Sequence, residues 1–177
     1  MKIGYRLRIC LDAQFHFETC IQKFATEDRL RSIIRANLET LQKLLEYNAG
    51  HNIRMYRLSF DLIPFGSSPV NTIPWLDEFA AQFQSLGDYV RKNNMRVSLH
   101  PGQYCVINSP REDVVERSID ELLYHASILE AMGLDATHKM VLHVGGIYGD
   151  KQQAMQRFAR VYRRLDPIIQ KHLIIEK

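Results

Sequence analysis

Five short apolar runs, separated by long amphipathic stretches, constrain the fold of this chain more than any other feature. The runs are Ile3–Ile9, Ile53–Ser59, Met95–Leu99, Lys139–Leu142 and Leu173–Ile175. Each is short and rich in strand-forming residues. Their starts recur every 35–50 residues or so, the length of a strand, a helix and two loops. The stretches between them carry helical spacing. After Thr26, the residues Leu30, Ile33, Ile34, Leu38, Leu41, Leu44 and Leu45 fall on one face. Leu76, Phe79, Ala80, Phe83, Leu86 and Val90 form a second such face. Ser109, Pro110 and Glu112 together predict the start of a third helix, as cap, first-position proline and capping-box carboxylate. Asp150 with Gln153 opens a fourth, whose apolar face is Ala154, Met155, Phe158, Val161, Tyr162 and Leu165.

Single strands joined through helices must pair in parallel, because each helix supplies the crossover. Two architectures satisfy this: an open doubly wound sheet, or part of a (β/α)8 barrel. No Gly-x-Gly-x-x-Gly or P-loop follows any of the runs, which removes the usual nucleotide signatures of the open sheet. The expectation is an α/β fold: a TIM-barrel-type (β/α) repeat of about four and a half βα units, an incomplete barrel, with residues 1–177 as a single portion.

Several classes are set aside. No run of 18 or more apolar residues occurs, so no membrane-spanning helix is expected. The first residues reach Arg6 and Arg8 without an apolar core, so they do not read as a signal peptide. Cys10, Cys20 and Cys105 are scattered and contain no Cys-x-x-Cys pair, which fits packing residues in a reducing cytoplasm better than a disulfide or zinc framework. The net charge of +3 is unevenly spread. Residues 1–150 carry 16 Lys and Arg against 18 Asp and Glu, whereas residues 151–177 carry seven against two. The excess lies in Lys151, Arg157, Arg160, Arg163, Arg164, Lys171 and Lys177. Such a face could track phosphates, and a merely solvated helix face explains it equally well.

In a (β/α) barrel the reactive groups collect at the C-terminal ends of the strands. The third run here ends at His100, followed by Pro101-Gly102-Gln103-Tyr104. The fourth ends at His143, followed by Val144-Gly145-Gly146, and the fifth at Glu176. The second leads to Asp61, whose role stays open. One histidine after a strand is more often structural than functional. Two at equivalent places, with a carboxylate on the next unit, favour a divalent metal such as manganese or zinc bound through N and O ligands. His16, His51, His125, His138 and His172 lack that placement and are expected at the surface or in the core. Pro101 and Gly102 make a sharp turn that presents Gln103 and Tyr104. A tyrosine ring can stack on a base and a glutamine amide can bond base edges; packing over the barrel top accounts for the pair as well. Gly145-Gly146 permits a close backbone approach by a substrate or a neighbouring loop, and Asn108-Ser109-Pro110 reads as a helix cap.

The segments Tyr56–Pro64, Leu99–Tyr104 and His143–Lys151, taken in order, resemble the UV damage endonucleases of the UvdE type. The resemblance implies a TIM-barrel fold and a DNA-repair endonuclease that nicks damaged double-stranded DNA 5′ to ultraviolet photoproducts. It implies a cluster of divalent metal ions, Mn²⁺ foremost, with Zn²⁺ or Mg²⁺ as alternatives. Carried onto this chain, it makes His100, His143 and Glu176 metal ligands, with Glu176 the catalytic carboxylate. It makes Gln103 and Tyr104 the pair inserted at the lesion, and Tyr5 a further lesion contact. Some members have an asparagine four residues after that tyrosine, where this chain has Ile9. The family continues past the fifth-strand glutamate through further βα units that complete the metal cluster. This chain is therefore expected to be an N-terminal part of such an enzyme, its own activity left open. Two other readings stand beside it: a metal-dependent sugar isomerase or epimerase on a related barrel, and a non-catalytic fragment. The fragment would have open sheet edges through which copies could associate.

Overall fold

The computed structural model describes residues 4–6 and 15–176 of the 177. Five strands form one sheet: β1 Gly4–Arg6, β2 Met55–Arg57, β3 Arg96–Leu99, β4 Lys139–His143 and β5 Leu173–Glu176. They lie in the order β1-β2-β3-β4-β5, and every pair is parallel. The expected alternation of strand and helix is thus present, and the sheet is open among the described residues. The ends of the first expected strand, Ile3 and residues 7–9, lie outside the described residues, as does the side chain of Tyr5.

Among the described residues six α-helices connect the strands: α1 Glu27–Gly50, α2 Trp75–Glu78, α3 Ala80–Lys92, α4 Glu112–Ala131, α5 Lys151–Arg164 and α6 Pro167–His172. α1 packs on α3, α3 on α4 and α4 on α6, so helices line up in the same sense as the strands. α1 starts where its sequence says it should. Thr26 caps it by accepting from the Arg29 amide, with Glu27 and Asp28 in the first turn beside the positive end of the helix dipole. Its seven expected apolar positions are all buried, none more than 3% exposed. Removing one such Leu or Ile side chain from water stabilises the fold by about 1.5–3 kcal/mol.

Strand alternation decides which face meets the helices. In β4 Met140 and Leu142 are buried while Lys139, Val141 and His143 are not. Val97 and Leu99 repeat this in β3. The opposite face of the sheet carries Arg57, Ser98 and Lys139 in one row of register partners and ends on the rim that bears His143 and Glu176. Ile174 and Ile175 of β5 remain exposed among the described residues.

Two local expectations are corrected. The second helical stretch is broken at Phe79 (φ −111°, ψ 16°) into α2 and α3. The break turns Leu76 and Ala80 outward, and Trp75 takes the buried place instead. α4 begins at Glu112 with no side-chain cap, because Ser109 Oγ accepts from the Arg111 amide two residues on and leaves Pro110 ahead of the helix. A short helix for which no expectation was given, α6, is capped by Asp166, which accepts from the Ile168 amide, with Pro167 in its first turn.

One glycine is dictated by packing. A Cβ on Gly87 would lie 1.7 Å from the Met132 carbonyl oxygen, so α3 approaches the end of α4 at a distance that only glycine allows. At the lower end of the sheet the buried histidines are structural. His172 faces the His138 carbonyl through Nδ1 and Glu130 through Nε2, both at 2.7 Å. His138 Nδ1 accepts from the Val97 amide. No helix of the described residues is long and apolar enough to cross a membrane.

Candidate metal centre

Parallel register builds the centre. His143 and Glu176 are Cα partners at the ends of β4 and β5, so their side chains leave the sheet on the same face. The Val144 amide donates to the Glu176 carbonyl at 3.3 Å and closes the pairing. His100 follows β3 directly, and its ring stands 4.9 Å from that of His143, tilted by 58°. One ligand atom from each of His100, His143 and Glu176 lies within 4.8 Å of the others. A divalent ion with bonds of about 2.0–2.2 Å spaces its ligand atoms by roughly 3–4 Å, which modest side-chain rotation would meet. The donor set, two imidazole nitrogens and a carboxylate oxygen, fits such an ion.

The state of His100 follows from its neighbour. Its Nδ1 is 2.8 Å from the Pro101 carbonyl oxygen. A carbonyl can only accept, so Nδ1 carries the proton and donates, leaving the Nε2 lone pair free to ligate. His100 is half-buried, whereas His143 and Glu176 are exposed on the rim.

The loop after β4 is held in place by Asn108, which the cap reading undervalued. Asn108 is buried, and its side-chain amide donates to the Gly146 carbonyl at 2.9 Å. Gly145 sits at φ +82°, and a Cβ there would come within 2.2 Å of Asn108 Oδ1. Close approach to a neighbouring loop is thus the use of Gly145, whereas a Cβ on Gly146 would meet only the Tyr148 ring at an ordinary 3.6 Å. Arg157 of α5 donates from Nε to the Asn108 carbonyl at 2.9 Å, with its guanidinium 5.5 Å from the centre of the Tyr148 ring. Part of the basic excess near the end of the chain is therefore already engaged. Arg164 meets Glu112 at 2.7 Å, and Lys171 meets Glu130.

Gln103 and Tyr104 project as the turn chemistry predicts, with Tyr104 83% exposed. They form a wall between two clefts. The first, about 400 Å³, runs from Arg57, Leu58 and Phe60 to His100. The second, about 510 Å³, lies against Val114, Arg117 and Glu121 of α4. Glu121 went unnoticed in the sequence. Its Oε1 accepts from the Gly102 amide at 2.6 Å and stands 3.7 Å from Nε2 of the buried His125, one helical turn on. Burial works to raise the Glu121 pKa, but His125 and the Gly102 amide outweigh it and hold the carboxyl below its ordinary value. Asp61 is shifted the other way, chiefly by loss of solvation, with the charge of Glu121 adding and His125 opposing. Cys105 beneath the loop is buried, its thiol pushed up to about 12, so it packs rather than reacts.

A family model described as UV-endonuclease UvdE matches residues 6–177. The chain is 40% identical over 177 residues to the UV DNA damage endonuclease of Clostridium perfringens, covering 99% of this chain and 43% of that protein. It is 32% identical over 156 residues to that of Bacillus cereus strain B4264, covering 88% of this chain and 49% of the relative. The crystal structure of SacUVDE superposes with a TM-score of 0.95 at 36% identity, over 100% of this chain and 61% of that one. The chain thus spans about half the length of the relatives it matches.

Proposed function

This chain belongs to the UV-endonuclease UvdE family, and on that premise we propose that it is the N-terminal portion of a metal-dependent DNA-repair endonuclease acting 5′ to ultraviolet photoproducts. The observation that carries this reading is the convergence of His100, His143 and Glu176 on one rim, beside a cleft walled by the exposed Gln103 and Tyr104. The parent architecture is a TIM-type barrel, residues 1–177 forming a single portion of it. Its support is the strictly sequential order of parallel strands with neighbouring helices packed in the same sense.

His100, His143 and Glu176 hold a divalent ion, Mn²⁺ first, with Zn²⁺ or Mg²⁺ as alternatives; when bound, the ion supplies Lewis acidity and charge stabilisation at the phosphodiester. His100 presents Nε2 because Pro101 fixes its other nitrogen. Glu176 contributes the carboxylate, exposed where a phosphate can approach. Gln103 and Tyr104 enter the duplex at the lesion, and Tyr5 of β1 is assigned to the same task. Entry unstacks bases, which costs less at a damaged step than in normal duplex, so selectivity rests on deformability. Lys151, Arg160 and Arg163, exposed on α5, remain to meet phosphates. A cytoplasmic location follows from a DNA substrate and belongs to the same proposal.

Ultraviolet-irradiated supercoiled plasmid, incubated with Mn²⁺ and either this chain or a version extended to the length of its relatives, tests the reading. Lesion-dependent nicking lost in His100→Ala supports it. Nicking by neither version, or equal nicking of unirradiated plasmid, overturns it. A second reading, self-association through β5, draws on the exposure of Ile174 and Ile175 at that edge. A monomer at high concentration by light scattering would remove it.

A further inference from the structure

The turn that carries Gln103 and Tyr104 is fastened to α4 at both ends, and the two fastenings sit one helical turn apart. On one side Glu121 Oε1 accepts from the Gly102 amide at 2.6 Å. On the other, Ser118 Oγ accepts from the Val106 amide at 2.9 Å while donating to the Val114 carbonyl at 2.7 Å. Cys105, buried between them, directs Sγ at the Ser118 carbonyl, and its own amide bonds the Gly102 carbonyl at 2.9 Å. The two residues left without such a tie are Gln103 and Tyr104, and both are exposed.

The fastenings differ in kind. Ser118 completes a neutral chain of hydrogen bonds. Glu121 brings a carboxylate, and a charge-assisted bond is shorter and about twice as strong as a neutral one. Its second neighbour is His125, 1% exposed, at 3.7 Å. Gly102 matters here too, since a Cβ would stand 3.3 Å from Glu121 Oε1 and crowd the carboxylate. A side chain inserted into stacked bases must resist being pushed aside, so the stiffness of its turn limits the work it can do.

We propose that Glu121 is a positioning residue: through the Gly102 amide, backed by His125, it stiffens the turn so that Gln103 and Tyr104 act as a rigid wedge rather than a mobile tip. The proposal rests on the reading of that pair as the lesion probe, and the test separates the two.

Amide hydrogen exchange on the whole chain reads the fastening directly. In Glu121→Ala the Gly102 amide exchanges about tenfold faster or more, the effect of losing a charge-assisted bond. In Glu121→Gln, which retains an acceptor oxygen but not the charge, exchange returns part of the way to the parent rate. Core amides such as Val97 and Leu142 keep their protection in both variants. Unchanged Gly102 exchange in Glu121→Ala overturns the proposal. So does equal acceleration across the core, which would make Glu121 a general structural residue, and so does failure of Glu121→Gln to rescue. Binding of irradiated against unirradiated duplex is then compared for Glu121→Ala, Glu121→Gln and Tyr104→Ala. Glu121→Ala lowers the preference for damaged DNA in the same direction as Tyr104→Ala, and Glu121→Gln restores it. If Tyr104→Ala leaves the preference unchanged while Gly102 is loosened in Glu121→Ala, the wedge reading fails and the fastening stands. If Tyr104→Ala lowers the preference and Glu121→Ala does not, positioning by Glu121 is overturned.

Discussion

His143 and Glu176 are register partners across β4 and β5, and the Val144 amide locks the pairing by donating to the Glu176 carbonyl at 3.3 Å. The second and third candidate ligands are thus positioned by backbone pairing, whereas His100 is set by the bond from its own ring to Pro101. Replacing His143 with Ala should weaken Mn²⁺ binding by at least the roughly 10–100-fold that even outer-shell changes cost. Because His143 is exposed, the metal-free stability should stay within about 0.5 kcal/mol of the parent. Titration followed by electron paramagnetic resonance reads the affinity, and undiminished binding in His143→Ala would sink the assignment.

Tyr104 is 83% exposed and contributes little to the core. Tyr104→Ala is expected to unfold in urea within about 0.5 kcal/mol of the parent while losing preference for irradiated over unirradiated duplex. A large drop in stability would show that the ring packs after all.

Gly87 is a packing requirement rather than a flexible point. Gly87→Ala places a methyl group 1.7 Å from the Met132 carbonyl oxygen and should cost at least about 1–3 kcal/mol, the range for overpacked sites. Urea denaturation gives the number. A change below 0.5 kcal/mol or so, the range usual for neutral surface sites, would mean that α3 and α4 separate freely.

Leu44 lies wholly out of water on the inner face of α1. Leu44→Ala is expected to cost about 2–5 kcal/mol, whereas Glu39→Ala, on the exposed face of the same helix, should cost little. Comparable losses at both positions would contradict the assignment of faces.

Acid should loosen the lower end of the sheet. Burial works to raise the Glu130 pKa, but Lys171 and His172 outweigh it, so the carboxyl sits below its ordinary value. A depressed carboxyl contributes stability that is complete above the unfolded value, about 4.3, and is lost as pH falls through the folded value. Between pH 5 and 3, roughly, the parent should therefore lose stability more steeply than Glu130→Gln. Chemical denaturation at several pH values decides it, and parallel profiles would exclude the contribution.

The strand ends were legible because a parallel sheet places whatever follows each strand on one rim. Reading His100, His143 and Glu176 at the ends of their runs was enough to bring them together. The apolar face of α1 was legible for a similar reason, since a long helix repeats its signal over many turns. What escaped was tertiary. Nothing around Glu121 announces that its carboxylate will meet Gly102, nineteen positions away. Asn108 read as a cap because its neighbours Ser109 and Pro110 suit one, yet its side chain reaches the Gly146 carbonyl. The break at Phe79 depended on Trp75 finding a buried place that the periodic pattern had assigned to Leu76.

The sequential order of the strands bears on how the molecule comes into being. Each strand lies beside the one made just before it, so during synthesis a new βα unit meets an edge already laid down. The loops to be closed are those of single units, and their entropy rises only slowly with length. Synthesis proceeds from the N-terminus at about 5–20 residues per second, far slower than helix or hairpin formation on the microsecond scale. Assembly can therefore keep pace with the ribosome, strand upon strand, each finished strand offering its edge to the one made after it.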